Sequence, residues 1–402
     1  MSSSGWATAL VGDCLVKVSL AGKIKIQTRD YRPSGRFPVI DQGQTKIAGW
    51  TDDENAIIDS GLPFIVFGDH TRVLKYVDFP FARGADGTQL LKPKEGIDPL
   101  FFYYACRAID LPGRGYNRHF SILKEKSVSY PENSKEQSQI GGILRSIEQA
   151  IDLESDLVTL TENIKKTAMR ALFARGLHGE AQKETEIGQV PKSWEVVQLG
   201  RVCALSTGTT PATKDKHYYD GDIPFIKTAD VVNNRISKAS TFVSQKAVED
   251  YGLKLFPAGT VLMAMYGQGK TRGQVSLLEI AAATTQNAAA IQPSSEVDSA
   301  FLWHYLRSSY ERLRGMGSLG HVSHLNLGYL RDLLILKPPV DQQRKVAEIL
   351  DAIDRKVALH QRKREVLEQL FKSLLRKLMI GEVRAADLAL SALRRKKEPV
   401  AA

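Results

Sequence analysis

Toward the C-terminal end of the chain, apolar residues fall at Val346, Leu350, Ile353, Val357, Leu367, Phe371, Leu374 and Leu378, alternating four and three apart except across polar His360 and Arg364. That is the seam of a heptad helix. The same register stands 206 positions earlier, at Ile140, Leu144, Ile147, Ile151, Val158, Ala168 and Leu172. Each pattern covers roughly 40 residues, so at 1.5 Å rise each predicted helix is about 60 Å long. Such a stripe cannot be buried inside a small domain. It must pack against a partner, and the nearest segment in the same register is the other copy.

Start and stop signals frame both helices. Pro338-Pro339-Val340-Asp341 supplies a rigid start with Asp341 placed as an N-cap; Gly381 ends the second helix, and Gly176 or Gly179 the first. Gly141-Gly142 fits less well, because each glycine in a helix interior costs about 1 kcal/mol relative to alanine. That end is expected either to fray or to sit tightly against a neighbour. Ahead of each helix, short apolar runs such as Phe64-Ile65-Val66-Phe67 and Val261-Leu262-Met263-Ala264-Met265 predict strands between turns. The expected fold class is therefore α+β, with two tandem globules each followed by a long helix.

The globules also repeat each other. Trp6 precedes Gly12 as Trp194 precedes Gly200, and Gly35-Arg36-Phe37-Pro38 matches Gly221-Asp222-Ile223-Pro224. Phe67-Gly68 ahead of Thr71-Arg72 is aligned with Tyr266-Gly267 ahead of Thr271-Arg272. Asp98, Phe101, Tyr103 and Arg107 match Asp298, Phe301, Trp303 and Arg307 at a constant offset of 200, and His119 to Leu123 is aligned with His321 to Leu325. The expected domains are 1–134 and 181–336 for the globules, 135–180 for the first helix, and 337–402 for the second helix with its basic tail.

Composition narrows the function classes. A net charge of +10 favours a polyanionic partner or an acidic protein surface. Part of the excess lies in Arg394, Arg395, Lys396 and Lys397, a solvated tail. Cys14, Cys106 and Cys203 are far apart and form no CxxC pair, so neither a disulfide framework nor a zinc site is indicated. No apolar run of about 18 residues and no signal-peptide layout is present, which makes the cytoplasm the expected location without membrane contact.

Motifs suggestive of catalysis do not develop into sites. Residues 264–271 match a relaxed P-loop ending Gly269-Lys270-Thr271, yet the sequence after it reads as turn and strand, where a phosphate loop must open a helix. Gly315-Met316-Gly317-Ser318-Leu319-Gly320 matches GxGxxG but follows a helix. His321 and His324 have no cysteine or carboxylate nearby to complete a metal set. Asp98-Pro99-Leu100-Phe101 faintly suggests the Asp-Pro-Pro-Phe motif of enzymes that methylate amino groups, but it lacks the second proline and reads as a helix start, since 298–301 repeats it without the proline. No catalytic site and no metal site is expected.

The run Lys337-Pro338-Pro339-Val340-Asp341-Gln342-Gln343-Arg344 with Ile349-Leu350-Asp351-Ala352-Ile353, and the opening Ile187-Gly188-Gln189-Val190-Pro191-Lys192-Ser193-Trp194, carry a family likeness. The chain resembles the specificity (S) subunit of type I restriction-modification systems, over essentially its whole length. The first copy departs from the pattern, with Tyr130-Pro131-Glu132 for the double proline and Gly141-Gly142 for helix formers. The resemblance implies two target recognition domains reading the halves of a split DNA sequence, and long helices paired as an antiparallel coiled coil that spaces the heads. It also implies partners: double-stranded DNA, two modification subunits carrying S-adenosylmethionine for adenine methylation, and restriction subunits using ATP and Mg to translocate and cleave. No cofactor is expected on this chain.

Base reading calls for arginine or lysine toward guanine and asparagine or glutamine toward adenine. Loops rich in these types supply the DNA-binding candidates: Gln42, Gln44, Lys46, His70, Arg72, Arg114 and Arg118 in the first head, and Tyr266, Gln268, Lys270, Arg272 and Gln274 in the second. Lys214, Lys216 and Lys227 are candidate phosphate contacts. Helix pairing and partner docking are assigned to Ile140, Leu144, Ile147, Ile151, Val346, Leu350, Ile353, Val357, Leu367, Phe371, Leu374 and Leu378. The rival readings are a coiled-coil adaptor that binds protein without DNA specificity, and a nucleotidase using 264–271.

Overall fold

The computed structural model describes residues 5–19, 22–112, 118–267, 270–316 and 325–388. The chain divides into two compact units, one made of 1–156 with 361–402 and the other of 157–360. Both mix sheets and helices, which is the α+β architecture expected. Each unit takes one head, the first half of the long helix that follows it, and the last half of the other long helix.

In the first unit, Trp6–Leu10 pairs antiparallel with Ser127–Pro131, so the head is tied off directly before the long helix begins. Inside it, Phe64–Gly68 runs between Leu74–Val77 and Thr88–Leu91, and a four-stranded sheet is ordered Gly49–Thr51, Phe37–Ile40, Phe81–Arg83, Ile57–Ile58. The second unit repeats the tie with Glu195–Gln198 against Leu334–Lys337. Its Val261–Ala264 strand lies between Val275–Leu278 and Ala288–Pro293.

The ladders give a residue-by-residue equivalence that corrects one alignment made from motifs. Ile65 faces Leu91 and Tyr76 in the first head, and Val261 faces Ile291 and Leu277 in the second. Gly68 and Ala264 then close the same two backbone bonds, Gly68 with Val73 and Arg72, Ala264 with Gln274 and Gly273. Arg72 therefore corresponds to Gly273 rather than Arg272. Both residues hold the left-handed conformation, φ +64° and +84°, which glycine adopts without a Cβ penalty and arginine does not. Residues 69–71 span the first hairpin and 265–272 the second, five more, so the aromatic-Gly pairs align by eye but not in space. Likewise His119 is the equivalent of Leu325: each donates its backbone N–H to the residue after that strand, Asp69 or Met265. His321 and His324 lie outside the described residues.

The long helices run Ser134–Arg175 and Val340–Met379. Asn133 caps the first through its Oδ1, which accepts from the Lys135 N–H at 2.9 Å. At the second, the Pro339 carbonyl accepts from Gln342 and Gln343, so Asp341 stands inside the first turn and is not the N-cap expected from sequence. There its charge faces the positive end of the helix dipole. Gly176 and Gly381, both left-handed, end the helices. Gly141 does not fray: a Cβ there would stand 3.1 Å from the Phe101 backbone nitrogen, so the glycine lets the helix lie against Pro99–Ala108.

Glu154 pairs with Lys363 in the first unit and Lys165 with Asp354 in the second. The first partner's number rises while the second's falls, which makes the helices antiparallel. The seam positions are buried or partly buried, all but Val158 and Val357 within the two main cores. Ile140, Leu144, Ile147, Ile151, Leu367, Phe371, Leu374 and Leu378 join one; Val346, Leu350 and Ile353 join the other with Ala168, Leu172 and Phe173. Each core also contains the short helix of its own head, Pro99–Ala108 or Ser299–Ser308. The seam is thus shared three ways rather than spent on helix pairing alone. Among the described residues no helix is long and apolar enough to cross a membrane.

Candidate nucleic-acid interface

Each head helix begins on an aspartate. Asp98 Oδ1 accepts from the Phe101 N–H at 2.8 Å and Asp298 Oδ1 from the Phe301 N–H at 2.9 Å. Sequence reasoning missed what holds these caps in turn. The fully buried Gln137 accepts from the Asp98 N–H at 2.7 Å and donates to the Gly96 and Pro131 carbonyls. Gln343 does the same with Asp298, Glu296 and Pro338. One glutamine per unit therefore fixes the start of the long helix, the head helix and the head's closing strand together. A glutamine in the first turn of each predicted helix was the available signal, but its partners are far apart in sequence.

A charged layer lies between head and helix in each unit. In the first, Arg107 pairs with Glu148, which also accepts from the Tyr104 hydroxyl at 2.9 Å, and Arg145 pairs with Asp78 at 2.9 Å. In the second, Arg307 pairs with Asp354 at 2.9 Å, while Asp351 receives both a fork from Arg235 (2.6 and 2.7 Å) and His304 Nε2 (2.8 Å). Burial works against the Asp351 carboxylate, but the bonds from His304 and Arg235 outweigh it and hold the group down at about 2. Burial lowers His304, whose Nδ1 has no partner, consistent with a neutral ring carrying its proton on Nε2. Burial pushes Lys165 down to about 8, with Arg307 adding to the effect. His304, Asp351 and Asp354 could geometrically surround a cation, yet their carboxylates are already neutralised by Arg235, Arg307 and Lys165. This is an ion-pair network that docks the head.

Of the first head's candidates, Gln44, Lys46 and Arg72 line one cleft of about 660 Å³ beside the Leu74–Val77 strand and the long helix. Arg107 and Arg145 join them, facing Asp78, Glu148 and Asp152. Arg72 is already engaged, its Nη1 donating to the Leu111 carbonyl at 2.6 Å. Gln42 is a brace: Oε1 accepts from the His70 N–H at 3.2 Å and Nε2 donates to the Asp86 carbonyl at 3.0 Å. Arg118 is exposed, and Arg114 lies outside the described residues.

The second head separates its candidates. Lys227 lines a cleft of about 590 Å³ with Thr210, Thr213, Tyr219, Thr285 and Asn287. Lys214 and Lys216 are exposed on the loop after Thr213. This hydroxyl-rich set, suited to groups that both donate and accept, escaped the sequence reading because threonine is not a distinctive reader. Tyr266, Lys270, Arg272 and Gln274 do not line that cleft. Their loop is tied to the Tyr310–Met316 helix, through the Tyr310 hydroxyl on the Lys270 carbonyl (2.6 Å) and Arg272 Nη2 on the Arg314 carbonyl (3.3 Å). Gln268 lies outside the described residues. Residues 264–271 lead through a turn into the strand Val275–Leu278, not into a helix, as their sequence foretold and as a phosphate loop would not.

Residues 191–369 match the family model described as "Type I restriction modification DNA specificity domain". The chain is 30% identical over 193 residues to the type I restriction enzyme MjaIX specificity subunit of Methanocaldococcus jannaschii, covering 47% of this chain and 44% of that one. It thus spans less than half the length of that relative. With the EcoR124I/EcoR124II specificity subunit of Escherichia coli it is 24% identical over 353 residues, 85% of each chain. Among solved structures, the type I restriction-modification S subunit from M. genitalium superposes with a TM-score of 0.66 at 16% identity, covering 93% of this chain and 96% of that one. That likeness supports the fold.

Proposed function

We infer that this chain, a member of the type I restriction-modification specificity-subunit family, is a DNA-binding subunit whose two heads each read one half of a bipartite target. The observation that carries this reading is a repeated scaffold with unrepeated surfaces. Ladders, caps and glutamine clamps recur in both heads, whereas the clefts differ: mixed charge around Lys46 and Arg72 in one, threonine hydroxyls around Lys227 in the other. A duplicated frame with divergent clefts suits recognition of two different half-sites.

The chain itself acts as a reader and spacer, and catalysis falls to partners: modification subunits that bind S-adenosylmethionine and methylate adenine, and restriction subunits that use ATP and Mg. The seam residues are buried or partly buried in the cores, so docking of modification subunits belongs to the exposed apolar positions of the long helices. These are Leu153, Val366 and Leu370 in the first unit and Leu160, Ile164, Ile349 and Leu359 in the second.

Adenine-methylation mapping in a host carrying this chain and its modification partner tests the reading. A bipartite motif is expected, and replacing residues 190–335 with another member's second head should change one half of it only. Methylation without a bipartite motif, or a change in both halves, would refute independent reading.

A further inference from the structure

A second charged region of the first head lies apart from the cleft lined by Gln44, Lys46 and Arg72. Two clefts of about 440 and 480 Å³ share the segment Val16, Lys17 and Val18. Lys17, Lys23 and Lys92 line one, and Lys17, Arg83 and Lys124 the other; among the described residues no carboxylate lines either. In the sheet ordered Leu74–Val77, Phe64–Gly68, Thr88–Leu91, the mixed-charge cleft borders the first strand and this region the last, at the opposite edge.

Among the described residues no ion pair neutralises these cations, and two of the lysines are held in place. Lys92 Nζ donates to the Gly61 carbonyl at 2.7 Å and lies over the Phe64 ring, and Lys124 lies over Phe120. Arg83 is half-buried; burial lowers its pKa, and its buried Nε has no hydrogen-bond partner. Gathering five like charges around linked clefts costs free energy by mutual repulsion. The fold does not require three of them, as the other head shows; it keeps a cation at the position of Lys124, where Arg331 lies against Gly200 as Lys124 lies against Gly12. By ladder register, Ile40 faces Arg83 where Ile226 faces Thr284; Lys92 follows Leu91 where Gln292 follows Ile291; Leu15 bridges Pro93 where Cys203 faces Pro293, which sets Lys17 against Leu205. Three cations in one head are thus threonine, glutamine and leucine at the same positions of the same scaffold.

We propose that this cation-only groove is a second nucleic-acid contact of the first head: it grips the phosphodiester backbone of duplex DNA outside the bases that the head reads, and the second head has no such grip. The proposal rests on the DNA-reading function inferred above. Duplex DNA fits because it carries one charge per about 1.7 Å of axis, enough to meet several cations along linked clefts at once. Carbonyl and ring contacts that hold lysines without discharging them suit backbone gripping rather than base reading.

The test uses the full chain assembled with its modification subunits and a duplex carrying the target found by methylation mapping, with binding followed between about 50 and 200 mM salt. The triple variant Lys17→Leu, Arg83→Thr, Lys92→Gln installs the second head's residues. Its slope of log affinity against log salt should be shallower by about 2 to 3, at about 0.9 for each phosphate no longer neutralised, with target preference unchanged. A second variant, Lys17→Gln with Lys23→Gln, alters exposed side chains only and should flatten the slope by about 1 to 2. If the unaltered complex prefers a bipartite target but both variants keep its slope, the groove is refuted and DNA reading stands. A variant that changes which bases are preferred also refutes a backbone grip. Absence of any target preference in the unaltered complex refutes both inferences.

Discussion

The Gln343 side chain accepts the backbone N–H of Asp298 at 2.8 Å, which ties the first turn of the second long helix to the residue that caps the head helix. Its amide donates to two further carbonyls, those of Glu296 and Pro338. Replacing it with leucine leaves three backbone groups without this partner, the Pro338 carbonyl buried and the other two partly open to water, at about 1 to 3 kcal/mol for a group that water cannot reach and less for the others. Gln343→Leu is expected to lower stability by about 2 to 4 kcal/mol, and Gln137→Leu by a similar amount. Thermal unfolding followed by circular dichroism checks this. An unchanged midpoint would show that the clamps carry no stability.

The adjacent glycines of the first long helix should respond in opposite senses. Nothing lies within 4 Å of a Cβ placed on Gly142, which is exposed, so Gly142→Ala should stabilise the helix by about 0.5 to 1 kcal/mol. Gly141→Ala sets a Cβ 3.1 Å from the Phe101 nitrogen and 3.2 Å from Leu100, so it should destabilise despite the same gain in helix propensity. Equal shifts in unfolding temperature for the two variants would contradict the packing described.

Acid should weaken the second unit through Asp351 and His304. The Asp351 pKa is about 2 in the folded chain against about 3.9 unfolded. Its contribution, on the order of 2 kcal/mol, is present above pH 4 and is lost as pH falls from about 4 to about 2. His304, lowered by burial, acts in the same sense: below about pH 6.5 the unfolded chain takes up the proton first, so stability declines with falling pH. Asp351→Asn should reduce stability at pH 7 and flatten its dependence between pH 4 and 2. Thermal midpoints across that range provide the check.

A spacing change must respect the antiparallel register. Gly176 already lies past the end of its helix, so a helical insertion belongs inside the paired segments and in both helices together. The compact units divide after Asp156 in one helix and after His360 in the other. Adding one heptad at each point keeps the seam in phase and adds about 10.5 Å, close to three base pairs at about 3.4 Å each. Under the spacer reading, methylation mapping should show the same half-sites with the gap about three base pairs longer. An active variant with the original gap would end the ruler model.

Periodicity and punctuation are local, and the sequence alone determined what depends on them. The heptad seams from Ile140 and Val346, the ending glycines Gly176 and Gly381, the capping Asp98 and Asp298, and the internal duplication were all legible, because each is a spacing or a turn requirement written in neighbouring residues. Family resemblance was legible for the same reason, in the run from Lys337 to Arg344. The tertiary structure decided what depends on which distant backbone lies alongside. Strand register set Arg72 against Gly273, although the motifs Thr71-Arg72 and Thr271-Arg272 look alike, because ladder bonds and not residue identity define equivalence. Gln137 and Gln343 became clamps only when carbonyls from separate segments converged on them. Lys17, Arg83 and Lys124, scattered over more than a hundred positions, came together only when the chain folded. Charge in a sequence can be counted, but whether it is neutralised depends on what packs beside it.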